Sequence, residues 1–194
     1  MVTLSCTKKK VIQLPEISEA AIKDIKDVSA AYLFYNETKK DSVELNRKNL
    51  ISTTNWLINI DKRLSLRQVM PHIIFLQNKK LNSSHKNTHA KNYFTCHDTG
   101  YNHLGFIDFT HIVYRKASSK DYFSKTANLT KRPQFTMMFY ASGGIEINTF
   151  TDGIIQKKTN KIHLAEDIKA LPKTSNNNIE IVLSFYSQMS FQDY

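Results

Sequence analysis

Residues 134–158 read QFTMMFYASGGIEINTFTDGIIQKK, three β-forming runs separated by Gly143–Gly144 and by Asp152–Gly153. Both dipeptides supply the positive backbone φ that tight hairpin turns require, so the stretch predicts a three-stranded antiparallel meander. Downstream, a short amphipathic helix is expected over 164–171, stopped by Pro172, and IEIVLSFYSQM at 179–189 reads as a long, largely buried strand. Upstream, LGFIDFTHIVYRK at 104–116 alternates. Ile107, Phe109, His111 and Val113 would lie on one face, with Phe106, Asp108, Thr110, Ile112 and Tyr114 on the other, the period of a strand.

Toward the amino terminus the apolar period lengthens. VIQL at 11–14 reads as a first strand or an extended lead-in ended by Pro15. Ser18 has the chemistry of a helix N-cap, with Glu19 in the first turn and Ile17 placed to staple against Ile22. Ile22, Ile25, Val28 and Tyr32 continue at helical spacing, predicting a helix over about 19–35. Asp41 and Glu44 have capping-box spacing, and Leu50, Ile51, Thr54, Leu57 and Ile58 form one stripe of a second helix, with Trp56 packing beside it. Ser65 and Gln68 repeat the capping box, with Leu64 and Val69 as a staple and Ile73 and Leu76 on the apolar face. Pro71 would kink this third helix or mark its first turn. The polar run QNKKLNSSHKNTHAKN then reads as an exposed connection.

These readings give an α+β fold, N-terminal helices packed on a mainly antiparallel C-terminal meander sheet. The chain is expected to form a single domain over 1–194, helical over about 16–80, connected through about 78–92 and mainly β over 93–194. At 194 residues, 41% hydrophobic and with 5 Gly and 4 Pro, it has the composition of a globular chain able to bury a core. Two cysteines, Cys6 and Cys96, form no disulfide framework. The start MVTLSCTKKK matches neither a signal nor a transit peptide, and no apolar run reaches the length of a membrane span. Together these point to the cytoplasm.

Charge is uneven along the chain. Residues 62–132 carry 13 Lys and Arg against 3 Asp and Glu, whereas 1–61 carry 9 against 8 and 133–194 carry 5 against 6. Cations interleaved with aromatic rings suit a single-stranded nucleic acid, because cations track phosphates while rings stack on bases. Arg63, Arg67, Lys79, Lys80, Lys86, Lys91, Arg115, Lys116, Lys120, Lys125, Lys131 and Arg132 are the candidate phosphate contacts, and Tyr93, Tyr101 and Tyr122 the candidate stacking rings. An anionic membrane surface or an acidic protein is the competing partner for the same charge, and self-assembly into a homo-oligomer is a further reading. Abundant Lys, Asn and Ile match the composition of AT-rich genomes, suggesting a viral or mobile-element structural or accessory factor.

The chemistry-bearing cluster is HKNTHAKNYFTCHDTGYNHLGFIDFTH, with five of the seven histidines. His85 and His89, at i and i+4, could join Cys96, His97 and His103 as metal ligands. A metal-free alternative makes His97 and His111 the base and acid of a small nuclease or phosphodiesterase, with Lys116 or Lys120 stabilising the transition state. The chain holds no GxGxxG, GxxxxGK[ST], GxSxG or HExxH motif, so no cofactor is expected.

Overall fold

A computed structural model describes residues 10–85, 87–126, 134–149, 157–172 and 180–194. The chain divides into two compact units, Met1–Tyr114 and Arg115–Tyr194.

In the first unit the strands are Glu16–Ile17 (β1), Val28–Tyr35 (β2), Val43–Asn46 (β3), Asn55–Ile60 (β4), Asn92–Asp98 (β5) and His103–Asp108 (β6), with one long helix, Leu66–Leu81 (α1), between β4 and β5. β2, β4 and β5 are parallel neighbours, β3 adds antiparallel to β2, and β6 adds antiparallel to β5. β1 pairs parallel with the end of β5, through Glu16↔His97 and Ile17↔Asp98. β4, α1 and β5 therefore form a βαβ crossover, the usual way to join parallel neighbours.

This architecture overturns the expected N-terminal helices on an antiparallel meander. The helix expected over 19–35 is instead a bend followed by β2, and the helix expected from Asp41 to Ile58 is a turn, β3, a loop and β4. Both stretches carry period-2 faces that the helical spacing masked. Ser29, Ala31 and Leu33 on β2 register with Trp56, Ile58 and Ile60 on β4, and all six are buried. Pairing with neighbours on both sides overrides a local helical pattern, because each strand gains a full hydrogen-bond ladder along with burial. Trp56 does pack in the core, its indole N–H donating to the Ile51 carbonyl at 2.7 Å.

α1 starts where the capping box places it. The Ser65 backbone N–H donates to Gln68 Oε1 at 2.8 Å, and Leu66, Val69, Ile73 and Leu76 are buried. Each such side chain contributes about 1.5–3 kcal/mol by leaving water. Pro71 stands inside the helix rather than at its first turn, and the helix runs on to Leu81, so the connection spans 82–91.

β6 stops at Asp108, short of the strand expected through 116. Asp108 Oδ1 accepts the backbone N–H and the hydroxyl of Thr110, an Asx turn that ends the alternation. Phe109 swings inward to stack on Phe94, with centroids 3.9 Å apart, while His111 and Val113 are exposed.

The chain crosses the β5–β6 hairpin between Ile17 and Ile22, and two features hold it there. Asp98, fully buried, accepts the backbone N–H groups of Ala20 at 2.7 Å, Gly100 at 3.0 Å and Glu19 at 3.2 Å. Burial alone would raise the Asp98 carboxyl, but these backbone donors hold it below its ordinary value. Gly105 leaves the room: a Cβ there would lie 2.4 Å from the Ala20 Cβ.

The second unit contains Ser119–Thr126 (α2), Gln134–Phe139 (β7), Ile145–Thr149 (β8), Lys157–Thr159 (β9), Leu164–Lys169 (α3) and Glu180–Phe185 (β10). β7, β8 and β9 are the antiparallel succession that the turn dipeptides indicate, with Gly143 at φ +81 in the first turn; Asp152–Gly153 lie outside the described residues. β10 is shorter than the strand expected over 179–189, and it pairs parallel to β7, giving the order β10-β7-β8-β9. Phe135, Met137 and Ile147 form the core, with Leu164, Ile168, Leu171 and Ile181 packed against it. The described residues are thus mostly β, with two mixed sheets and one long helix.

Candidate nucleic-acid interface

From Leu45 to His97 the sequence holds nine Lys and Arg and a single acidic residue, Asp61. Asp61 is fully buried at the end of β4, where Arg63 grips it bidentately, Nε to Oδ1 at 2.8 Å and Nη2 to Oδ2 at 2.7 Å. Burial would raise the Asp61 carboxyl, but the Arg63 guanidinium and the backbone N–H groups of Arg63 and Gln13 hold it below the usual carboxylate range. The exposed surface built from these 53 residues therefore presents no carboxylate.

Several of the expected phosphate contacts are already engaged. Arg63 lies over the Tyr35 ring at 4.7 Å as well as on Asp61. Lys91 is paired with Asp108 at 3.0 Å. Lys80 reaches inward, its ammonium donating to the Lys91 carbonyl and to Asn92 Oδ1 at 2.9 Å each and to the Thr54 carbonyl at 3.3 Å, with the Trp56 ring 5.0 Å away. Burial draws the Lys80 ammonium down to about 8. It pins the end of α1 to the sheet instead of facing a ligand. Tyr93, expected as a stacking ring, is only 7% exposed and belongs to the core. Tyr101 is exposed, but Lys23 sits 3.6 Å from its ring centroid and His103 stacks beside it.

Arg67 and Lys79 remain, both exposed and without an ion-pair partner among the described residues; Lys86 lies outside them. They belong to one ridge. Arg67, Pro71, Phe75 and Lys79 recur every four residues along α1, and all four are exposed. At about 1.5 Å of rise per residue the ridge spans roughly 18 Å. Phe75 is 45% exposed, and the Arg47 guanidinium lies 4.8 Å from its centroid. The ridge ends in an open groove of about 410 Å³ lined by Leu50, Ser52, Trp56, Lys79, Asn82, Ser83 and Ser84. One cation, one amide and three hydroxyls over an apolar floor can hold a phosphate and the polar edge of a base, while the Arg47 guanidinium over Phe75 presents a planar cation and ring together against which a base can stack.

Cations sought within 62–132 leave out Arg47 and the groove residues Leu50, Ser52 and Trp56; Lys79 is one of the expected contacts, and Phe75 lies in the same ring-rich segment but is not one of its expected stacking rings. The signal that finds them is the absence of exposed acid across 45–97. The remaining expected contacts fall in the second unit, so the basic segment is divided between the units. Arg115, Lys116 and Lys125 are exposed there, Arg115 lies 5.9 Å from the Tyr122 ring, and Lys120 is in α2. Lys131 and Arg132 lie outside the described residues.

The histidines do not converge. His97 faces Leu104 across the β5–β6 ladder, and His111 follows the far end of β6. The four steps from Leu104 to Asp108 alone separate them by about 13 Å along the strand, and Lys116 is in the other unit. His85 and His89 sit in the exposed connection. Cys96 and His97 are consecutive on β5 and point to opposite faces. Cys96 is buried, which pushes its thiol up to about 11, and His103 Nδ1 lies 2.7 Å from the Leu104 carbonyl oxygen. Among the described residues no three His, Cys, Asp or Glu side chains come together as a metal site.

The fold and site define a two-unit, mixed-sheet protein with a cationic, acid-free helix face. No protein-family model, curated protein or solved structure matches the chain. No helix of the described residues is long and apolar enough to cross a membrane.

Proposed function

We propose that the first unit binds single-stranded nucleic acid, RNA or DNA, along the α1 ridge, without turnover. The observation that supports this reading is the acid-free surface of 45–97, on which Arg67, Phe75 with Arg47, and Lys79 line one helix face and lead into a polar groove. A helix that carries cations and no carboxylate favours a polyanion, and a half-exposed ring among the cations favours bases over a plain anionic surface. A free, buried Cys96 thiol fits a reducing compartment such as the cytoplasm, and the Lys-, Asn- and Ile-rich composition fits an accessory protein of a virus or mobile element.

Fluorescence anisotropy with short single-stranded RNA and DNA tests it. Three phosphate contacts from Arg47, Arg67 and Lys79 give a slope of log affinity against log salt near −2, and the double reversal Arg67→Glu with Lys79→Glu abolishes binding. Phe75→Ala weakens binding by roughly tenfold or more, because stacking is worth about 1–3 kcal/mol per base. Unchanged affinity in the double reversal overturns the map. Equal competition by anionic lipid vesicles would assign the surface to membranes instead.

A further inference from the structure

Each sheet has two outer edges, and three of the four are guarded. β3 is four residues long, and its Glu44 is paired with Lys10. The outer side of β6 is capped where the Phe106 N–H donates to the Ile22 carbonyl at 3.0 Å. β9 is three residues with two lysines, paired with Asp167 and Glu146. Short, charged or covered edges are how proteins prevent strand addition.

β10 is six residues long, and its one charge, Glu180, stands at its first position. From Ile181 to Phe185 it reads IVLSF without a charge, and among the described residues its backbone bonds only to β7. Its core-side row is also unfinished. Ile181, Leu183 and Phe185 register with Phe135, Met137 and Phe139. Phe135 and Met137 are 1% exposed, whereas Leu183, on the same face, is 54% exposed. Ile181 packs on the core and Phe185 contacts the rings of Phe139 and Tyr194, so Leu183 is the exposed position of this row.

We propose that β10 is a self-association edge, pairing antiparallel with β10 of a second copy of this chain about a two-fold axis at Leu183. A two-fold contact matches a patch with itself, and this strand suits that requirement. Leu183 meets its own counterpart, Ile181 meets Phe185, and Val182 meets Ser184. In this register position 180 is opposite position 186, so the strand's one acidic position does not face its own counterpart. The product is one continuous sheet with four strands from each copy. Two strands of this length bury less than a standard interface, so the dimer is weak and forms as concentration rises.

Sedimentation velocity on the full chain, from about 1 µM to about 1 mM, tests this over the range that brackets such an affinity. The expected result is a concentration-dependent shift from monomer to dimer, abolished by Leu183→Lys, which places a charge on the edge. Leu183→Cys supplies a reading that does not depend on that variant folding. Directly opposed residues of an antiparallel pair have Cα atoms about 4.5–5.5 Å apart, within disulfide reach, so native protein oxidised in air forms a covalent dimer through residue 183. A monomer throughout the range, a dimer that survives Leu183→Lys, or a folded Leu183→Cys protein that forms no cross-link overturns the proposal. Nucleic-acid binding by the first unit is read separately, so either idea can fail alone.

Discussion

Gly105→Ala is the sharpest test of how the first unit is held together. The new Cβ would lie 2.4 Å from the Ala20 Cβ and 3.1 Å from Ile17 Cδ1. The isoleucine tip can rotate away, but the Ala20 methyl is fixed to backbone, so relief requires the crossing segment to lift. Carbon atoms rest about 3.5–4.0 Å apart, so the segment must move by more than about 1 Å. That displacement would stretch the Ala20 N–H bond to Asp98, now 2.7 Å, and the Phe106 N–H bond to Ile22, now 3.0 Å, beyond hydrogen-bonding range. Overpacking of this kind costs about 1–3 kcal/mol, and the fixed neighbour places this case in the upper half. Ala20→Gly alone costs about 1–2 kcal/mol, from one buried methyl and the freedom of glycine in the unfolded chain. The double variant removes the clash, so it should be more stable than Gly105→Ala alone, with a coupling of about 2 kcal/mol. Trp56, the only tryptophan and buried in this unit, reports the unfolding in urea. A Gly105→Ala stability within about 0.5 kcal/mol of the parent, or additive losses in the double variant, would refute the close-approach argument.

Other outcomes follow from single buried groups. Thr95 Oγ1 is buried without a hydrogen-bond partner among the described residues, so Thr95→Val should stabilise the first unit by about 1 kcal/mol in the same urea assay. Cys96, buried and with its thiol at about 11, should resist iodoacetamide near neutral pH until the unit unfolds, as peptide mapping would show separately from Cys6. The Lys80 ammonium is drawn from its ordinary 10.5 down to about 8, so the unfolded chain binds the extra proton between those values. Stability from this group is therefore full above 10.5 and lost as pH falls through about 8. The difference between the parent and Lys80→Met should change across that window, and a flat difference would show that the ammonium titrates normally.

Local chemistry fixed several elements without help from the rest of the chain. Ser65 and Gln68 set the start of α1, because a capping box is completed within four residues. Gly143–Gly144 set the β7–β8 hairpin, because few other residues accept that backbone. α3 begins at Leu164, where its apolar spacing places it. The same kind of reading failed over 19–35 and 41–58, where Val28 with Tyr32 and Leu57 with Ile58 fit a helical stripe while the alternating sets Ser29, Ala31, Leu33 and Trp56, Ile58, Ile60 are the faces that become buried. Only the pairing of β2 with β4, residues far apart in sequence, decides between them, and a parallel ladder leaves no turn signature in the intervening chain.

The candidate site divides along the same line. The sequence by itself determined that the middle of the chain is basic and rich in rings. Tertiary structure decided which cations are free: Lys80 serves the core, Arg63 and Lys91 serve carboxylates, and Arg67 and Lys79 are left on the outer face of α1. It also brought Arg47 onto Phe75 across 28 positions of sequence and separated His97 from His111, which stand only 14 apart. Charge is a property of composition, but a binding surface depends on which groups the fold has already paired, and that pairing is set by contacts between residues distant in the chain.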